Sequence, residues 1–308
     1  MKTWLISTLL FFLGHLPLKV NHAIGGFLGW CFWLFPTRDK KIAMINLSRC
    51  FPEKDAKWHR ATARKSFIEA GKALTETSVL WHASGERINN LITEFFGLPV
   101  LEAAATGKQG AILASPHMGS WELTGLYAAS KYPITSLYKP PKIKALDQLI
   151  KRARETTGSR LVPTTAGGIR KLHRALNQGE CIGLLPDQEP GHGRGVFAPL
   201  FNIQAYTMTL LHRLSHEKNI PVVICFAERL PRGKGYHFHI LAPDERIHDD
   251  DPAVSAAALN DAIEKIIRIN PSQYIWGYKR FKKRPDGSES FYSQAQTLAS
   301  LMSPVYTH

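Results

Sequence analysis

A histidine and a glutamate lie five positions apart, just after an apolar run, in the segment AILASPHMGSWEL at 111–123. His117 is the side chain best suited to moving a proton near neutral pH. If Trp121 and Glu122 begin a helix, Glu122 can fold back, accept the Nδ1 proton of His117 and stabilise the imidazolium that forms. The spacing therefore predicts a general base oriented by an acid, although a structural histidine at the end of a strand would show the same pattern.

No clear nucleophile accompanies this pair. Ser115 and Ser120 flank His117, but the segment lacks the G-x-S-x-G elbow of serine hydrolases, and Ser120 is better placed as the N-cap of a helix. A histidine–acid pair without its own nucleophile would deprotonate a hydroxyl group on a bound acceptor, which then attacks a second substrate directly. This chemistry favours an acyltransferase that works through a ternary complex and needs no covalent intermediate, metal or other cofactor.

The rest of the chain predicts the elements that would position these residues. Its 308 residues, 44% of them hydrophobic, can bury one large core. Strands are predicted at 110–115, 133–138, 181–185, 221–226 and 236–241, and helices at 53–82, 121–131, 143–155, 166–177, 205–217 and 253–268. This alternation indicates an α/β fold with a mostly parallel sheet flanked by helices. Ligands bind at the carboxyl ends of such strands, where His117, Lys139 and Asp187 would share one crevice.

Other polar clusters are interpreted as structural. His212 and His216 have the spacing of a zinc-binding helix, but Arg213 stands where H-E-x-x-H requires glutamate. His237 and His239 would share one face of a strand, with no third ligand evident. The four cysteines are scattered, and those inside apolar runs predict buried free thiols in a reducing compartment.

Residues 1–36 differ in composition from the rest of the chain. The segment 3–18 carries no charged side chain, and the segment 21–35 carries no acidic or strongly basic one. We expect a membrane anchor near 3–18 and a second apolar helix at 21–35 that lies at the interface or packs on the body, with a cleaved signal peptide or an ordinary core helix as alternatives. The basic residues that follow predict that residues 37–308 form a cytoplasmic α/β domain.

The net charge of +14 suggests a polyanionic partner, either nucleic acid or an anionic membrane surface. Basic residues cluster at 138–144, 151–154, 194–197 and 278–284. Because the same chain carries an apolar N-terminal segment, we interpret these clusters as docking phosphate groups at a membrane surface.

Seven sequence blocks then occur in an order that resembles the late lipid A acyltransferases of Gram-negative bacteria. The blocks are NLSRCFPE (46–53), HMGSWE (117–122), YKPP (138–141), RAR (152–154), LPDQ (185–188), GVFAPLF (195–201) and YIWGYKRFKKRPDG (274–287). The resemblance extends from about residue 4 to residue 292. It implies a fold like that of glycerol-3-phosphate acyltransferases, attached to the inner membrane by an N-terminal helix.

The resemblance also implies a reaction. A fatty acyl chain would move from acyl carrier protein to the hydroxyl group of a 3-hydroxyacyl chain on a phosphorylated lipid A precursor that bears Kdo sugars, with anionic inner-membrane lipids nearby and no nucleic acid partner. His117 and Glu122 would be the catalytic dyad, and Arg154 would stabilise the thioester oxyanion or hold a phosphate. The substrate-binding residues would be Trp121, Lys139, Arg152, Asp187, Gln188 and Arg194.

One block departs from the pattern of the family. Relatives often carry Arg-Pro followed by asparagine where this chain has Lys139-Pro140-Pro141, and lysine cannot reproduce the bidentate grip of arginine. Two alternatives stay open: an acyltransferase acting on another phosphoglycolipid or a lysophospholipid, and a membrane-tethered binding protein for anionic lipid or nucleic acid.

Overall fold

The computed structural model of the protein describes residue 8, residues 11–141 and residues 144–293. Within them the strands are β1 (Ile92–Phe96), β2 (Ala111–Ala114), β3 (Ile134–Tyr138), β4 (Arg160–Pro163), β5 (Cys181–Leu184), β6 (Gly195–Leu200), β7 (Ile203–Met208), β8 (Val222–Arg229) and β9 (Tyr236–Leu241). Seven of these strands form one sheet in the order β1-β9-β8-β2-β5-β3-β4. Neighbouring strands are parallel except β8 and β9, which pair antiparallel. The predicted mostly parallel α/β sheet is confirmed.

The helices precede the first strand, connect the strands or, in the last case, follow β9. They are α1 (Leu18–Leu34), α2 (Arg38–Cys50), α3 (Ala56–Trp81), α4 (Gly85–Asn90), α5 (Leu98–Ala105), α6 (Trp121–Lys131), α7 (Lys144–Glu155), α8 (Ala166–Asn177), α9 (Leu210–Ser215) and α10 (Pro252–Ile269). The region 53–82 forms the single long helix α3, which begins where the Asp55 side chain accepts a hydrogen bond from the backbone N–H of Trp58.

The prediction of a helix over 205–217 was wrong in its first half. Residues Ile203–Met208 form β7, which pairs antiparallel with β6 in a separate two-stranded ribbon, and the helix begins only at Leu210. β1 and β4 were also missed. β4 has only four residues and lies at an edge of the sheet, so its sequence carries little strand pattern.

Apolar side chains cover both faces of the sheet. In the central strands, Ile112, Ile182 and Ile224 contribute to the core on one face. Leu113, Cys181 and Cys225 contribute to the core on the other face. Because successive residues of a strand alternate between faces, strands covered on both sides become almost entirely apolar. Cys181 and Cys225 are buried free thiols, as predicted.

Helix α1 packs along α3 at very short backbone separation. A Cβ atom added to Gly29 would lie 2.2 Å from the carbonyl oxygen of Phe67, and one added to Gly71 would lie 2.1 Å from that of Gly25. Glycine is therefore required on both helices at this crossing. Helix α1 therefore packs on α3, which is one of the two placements expected for 21–35.

The other side of α1 is exposed and apolar. Phe27, Leu28, Phe32 and Leu34 are all about half exposed or more. Across the described residues, we find no helix with both the length and the apolar character needed to cross a bilayer. The predicted anchor at 3–18 includes residues 3–7 and 9–10, which lie outside the described residues.

Candidate active site

The loop between β2 and α6 carries His117 to the carboxyl edge of the sheet. Its backbone is held from behind, because the N–H of Gly119 donates to the carbonyl of Gln273 at 3.0 Å and the N–H of Ser120 donates to that of Ala227 at 2.9 Å. Gly119 has a φ of +53°, and a Cβ atom there would lie 2.2 Å from the Ala227 carbonyl oxygen. Only glycine fits this position, so the glycine of the HMGSWE block shapes the loop that presents His117.

Asp187 reaches the same point from the neighbouring strand. β5 pairs with β2, and the loop after β5 places Asp187 beside His117. The Nδ1 atom of His117 lies 2.7 Å from Oδ1 of Asp187, and the backbone N–H of His117 donates to Oδ2 at 2.9 Å. Both oxygens of one carboxylate therefore fix the position and the ring orientation of His117.

Electrostatics define the protonation of this pair. Burial alone would raise the pKa of Asp187, but the charge and hydrogen bonds of His117 outweigh it, so that the pKa is lowered. An ionised carboxylate can only accept hydrogen bonds, so Nδ1 carries the proton and Nε2 is the basic nitrogen of the neutral ring. Burial alone would lower the pKa of His117, but the charge and hydrogen bond of Asp187 raise it above its usual value.

The predicted hydrogen bond between Glu122 and Nδ1 of His117 was wrong. Glu122, in the first turn of α6, instead forms a bidentate ion pair with Arg154 of α7: Nε of Arg154 donates to Oε2 at 3.0 Å and its Nη2 donates to Oε1. Trp81, at the end of α3, donates its indole N–H to the same carboxylate at 3.2 Å. Nδ1 of His117 therefore pairs with Asp187, from the loop after β5. It does not pair with Glu122, which lies five residues further along the same segment.

A largely apolar pocket opens next to these two ion pairs. It contains about 770 Å³ of empty space, including its open mouth, and runs beneath α6 toward the sheet. Trp121, Glu122 and Arg154 line it together with apolar side chains that include Leu113, Leu126, Ile134, Leu161 and Phe238. The ring of Trp121 also lies 5.8 Å from the imidazole of His117, centroid to centroid. The arrangement places an imidazole next to Trp121, at the side of a pocket that has room for a long apolar group.

The structure brings some of the predicted binding residues to this site and leaves others on the surface. Gln188 lies close, with its amide nitrogen 3.5 Å from Nε2 of His117. Lys139, Arg152 and Arg194 are exposed and are not among the residues that line the pocket. Lys139, in the block that differs from the pattern of the family, therefore lies outside this pocket.

Part of the basic C-terminal block is structural. Arg280 is buried, and its guanidinium donates to the carbonyl of Tyr206 at 2.8 Å and to the hydroxyl of Thr207 at 2.9 Å. The interpretation of 278–284 as a phosphate-docking cluster was therefore wrong for Arg280, which fastens this segment to β7. Its charge also helps to lower the pKa of Asp187.

Sequence reasoning missed two positioning residues. Trp81 contacts Glu122, and Arg229 at the end of β8 donates to the carbonyl of Gly119 at 3.0 Å. Arg229 follows the apolar run VVICFA (222–227) and Glu228. A charge at the end of a buried strand was the available signal, because buried charges require partners.

Comparison with known sequences decides the family. Residues 1–283 match the bacterial lipid A biosynthesis acyltransferases. The chain belongs to this family. It is 32% identical to the lipid A biosynthesis lauroyltransferase of Escherichia coli K12 and 29% identical to the palmitoleoyltransferase of the same strain, in each case over 94% of both chains. It is 24% identical to the lipid A biosynthesis myristoyltransferase of that strain over 80% of this chain and 76% of the relative.

Membership of the family establishes the type of activity of the protein. The protein is an acyltransferase of lipid A biosynthesis. The three relatives are named after acyl groups that differ in length or unsaturation.

Proposed function

We propose that this enzyme transfers a fatty acyl chain from the thioester of acyl carrier protein to the hydroxyl group of a 3-hydroxyacyl chain on a phosphorylated lipid A precursor that bears Kdo sugars. The observation that carries the proposal is the His117–Asp187 pair beside Trp121, whose side chain lines the apolar pocket, in a chain of this family. The pair supplies a base, and the pocket supplies room for an acyl chain.

In the proposed reaction, Nε2 of His117 removes the proton of the acceptor hydroxyl as its oxygen attacks the thioester carbonyl carbon. Asp187 stabilises the imidazolium that forms, as the acid does in a hydrolase triad. The tetrahedral intermediate then collapses, the C–S bond breaks, and the imidazolium returns its proton to the leaving thiolate. The products are an ester and the free thiol of the carrier protein, so that His117 ends the cycle neutral.

Arg154 is the proposed electrostatic group. Its guanidinium lines the pocket and is held by Glu122, so it is oriented before substrate binds. A fixed cation here would stabilise the thioester oxyanion, and a donor of this kind contributes about 3–4 kcal/mol to lowering the barrier. Glu122 acts in this proposal by positioning Arg154.

We propose that the enzyme works at the cytoplasmic face of the bacterial inner membrane. The exposed apolar face of α1 would enter the lipid interface, where Trp30, at 43% exposure, is typical of interfacial anchoring. The net charge of +14 would favour an anionic membrane and a phosphorylated acceptor. Residues 1–36 would form the attachment and residues 37–308 the catalytic domain.

The test is an acyl-transfer assay with the purified, detergent-solubilised enzyme. Acyl carrier protein loaded with different fatty acids is offered together with either Kdo-bearing lipid A precursor or lysophosphatidic acid, and products are weighed by mass spectrometry. The proposal expects the lipid A precursor to gain the mass of one acyl chain in a reaction that consumes the thioester. Acylation of lysophosphatidic acid alone would replace the proposed acceptor, and thioester that stays intact with every acceptor would refute the proposed donor.

A further inference from the structure

A second cluster of potential ligands lies on the β8–β9 side of the sheet, away from His117. Glu228 of β8 and His237 and His239 of β9 each offer one ligand atom, and these atoms lie within 4.8 Å of one another. All three side chains are partly buried, so that they are fixed by packing yet open to solvent.

Strand pairing brings the three residues together. His237 and His239 are two positions apart on one strand, so they project from the same face of the sheet. Glu228 lies directly opposite His237 in the antiparallel β8–β9 pair, and Glu94 of β1 lies opposite His237 on the other side. Phe238, between the histidines, lines the substrate pocket on the opposite face. The cluster is therefore separated from the pocket by the thickness of the sheet.

The side chains are already oriented toward a common centre. Nε2 of His239 lies 2.9 Å from Oε2 of Glu228, and Nε2 of His237 lies 3.5 Å from Oε2 of Glu94. Asn270 donates to the second oxygen of Glu228 at 2.9 Å, which fixes the rotation of the carboxylate. Outer hydrogen bonds of this kind hold the ligands of metal sites in place.

Aromatic rings restrict the second histidine. Phe96 stacks on His239 with ring centroids 4.9 Å apart and planes tilted by 11°, and Phe226 lies 5.5 Å away with planes tilted by 16°. The imidazole of His239 is therefore held with Nε2 directed at Glu228, and little rotamer entropy remains to be lost when an ion binds.

The donor set matches a particular class of ion. Two imidazoles and a carboxylate form the ligand set of many zinc sites, and imidazole also suits nickel, cobalt and copper. Ligand atoms about 2.1 Å from one ion are at most about 4.2 Å apart, so these side chains need only small inward movements. The exposed carboxylate of Glu94 can supply a fourth ligand, or water can.

We propose that Glu228, His237 and His239, assisted by Glu94, bind one divalent transition-metal ion of the zinc type. The ion would join three strands, β1, β9 and β8, at one edge of the sheet. It would also hold the strands to Asn270, which immediately precedes the 3₁₀ turn Pro271–Gln273. Gln273 of that turn accepts a hydrogen bond from the N–H of Gly119, in the loop that carries His117. The ion would therefore stabilise the residues behind this loop without touching substrate.

The test is direct metal binding to the whole enzyme, purified without a histidine tag and freed of metal by a chelator. Zinc is titrated in competition with a chromophoric chelator, and cobalt is added separately so that visible absorption reports its coordination. The proposal expects one zinc per chain with micromolar or tighter affinity, cobalt bands typical of nitrogen and oxygen ligands, and a melting temperature raised by about 3 °C or more at saturating zinc. Wild-type enzyme that binds no zinc in the micromolar range overturns it.

Variants locate the site. The double substitution His237→Gln/His239→Gln is expected to weaken zinc binding about 100-fold or more, and Asn270→Ala about 10-fold through the loss of an outer hydrogen bond. The matched control is His212→Gln/His216→Gln, which removes a different pair of neighbouring histidines and should leave binding unchanged. If the first double variant does not fold, Asn270→Ala decides. Binding that survives the ligand substitutions, or that is lost in the control, assigns the ion elsewhere and contradicts the proposal.

Discussion

Two histidine–acid clusters flank the loop that carries HMGSW, and they differ in what surrounds them. Behind the loop, His22, Glu76, Arg229 and Tyr236 form what we call the rear cluster, in which the side chains of Glu76 and Arg229 are each 1% exposed. In front of the loop, His117 pairs with Asp187 but remains 22% exposed. Both clusters use an imidazole and a carboxylate at nearly the same separation, 2.8 Å and 2.7 Å.

The two clusters differ in which hydrogen-bonding atoms remain accessible to a substrate. Glu76 accepts from Nε and Nη2 of Arg229, from the hydroxyl of Tyr236 and from the ring of His22, and both of its oxygens are buried. Burial alone would raise the pKa of Glu76, but the charge and hydrogen bonds of Arg229 hold it well below the usual range. In contrast, Nδ1 of the partly exposed His117 pairs with Asp187, and its Nε2 has only the amide nitrogen of Gln188 near it, at 3.5 Å. An acid–imidazole pair performs chemistry only where one nitrogen can meet a substrate.

The rear cluster also holds the loop that carries His117 in place. Arg229 donates to the carbonyl of Gly119, so the loop that carries His117 is fastened to a buried network. Under the proposed mechanism, the His117–Asp187 pair carries out catalysis and the rear cluster positions the loop. The predictions below are ordered by the size of their expected effect.

The largest effect should follow from His117→Gln. Glutamine preserves the approximate size of the side chain but removes the basic nitrogen, so we expect the rate of acyl transfer to fall by about 10²–10⁴-fold, the usual contribution of a general base. The rate is measured with purified enzyme, and membrane association is measured by sedimentation with vesicles, which should be unchanged.

The control for this variant is His173→Gln, which changes an exposed histidine of α8. It should leave both the rate and the vesicle binding unaltered. A His117→Gln enzyme that retains near-normal turnover would remove His117 from the mechanism.

Arg229→Met should chiefly affect stability. Removing the cation leaves Glu76 buried without its main partner, which costs about 3–5 kcal/mol in the free energy of unfolding. Unfolding is followed in denaturant by far-UV circular dichroism. Arg246→Met is the matched control, because Arg246 forms exposed ion pairs with Asp244 and Asp261, and its loss should cost only a small fraction of that free energy. Equal costs for the two variants would contradict the distinction between a buried and an exposed cluster.

Glu122→Gln should have a smaller effect on the rate. Arg154 would keep one hydrogen bond to the amide oxygen and lose the bidentate grip, which is worth about 1.5 kcal/mol or about tenfold in kcat. We expect a fall in kcat with little change in KM for the acceptor. A fall as large as that of His117→Gln would instead place Glu122 in the proton transfer itself.

The sequence predicted much of the fold but only part of the site. Strong apolar runs such as those of β2, β5 and β8 were recognised because both faces of these strands are buried. Short β4 was not, and neither was the β6–β7 ribbon, whose second strand was taken for a helix. Pairing between Cys181 of β5 and Ala111 of β2 aligns the two strands that bring Asp187 to His117, and such long-range register is not visible in local spacing.

The error over Glu122 has the same origin. A five-residue separation made contact with His117 plausible, but Trp121 and Glu122 enter α6 with the carboxylate directed toward α7, where Arg154 takes both oxygens. His117, Asp187 and Arg154 were all predicted as site residues from the sequence. The pairing of Asp187 with His117, and of Glu122 with Arg154, depended on the packing of strands and helices.

The most direct test of the central claim is the pH dependence of kcat/KM in Asp187→Asn compared with Glu122→Gln. A general base must be neutral, so the rate should rise with pH through the pKa of His117, which the charge and hydrogen bond of Asp187 raise and the more weakly acting charge of Glu122 also raises. The account predicts that the acidic limb moves to lower pH in both variants, and clearly further in Asp187→Asn, with a lower plateau because the ring loses its orienting partner. The account would be contradicted if the acidic limb moved at least as far in Glu122→Gln as in Asp187→Asn.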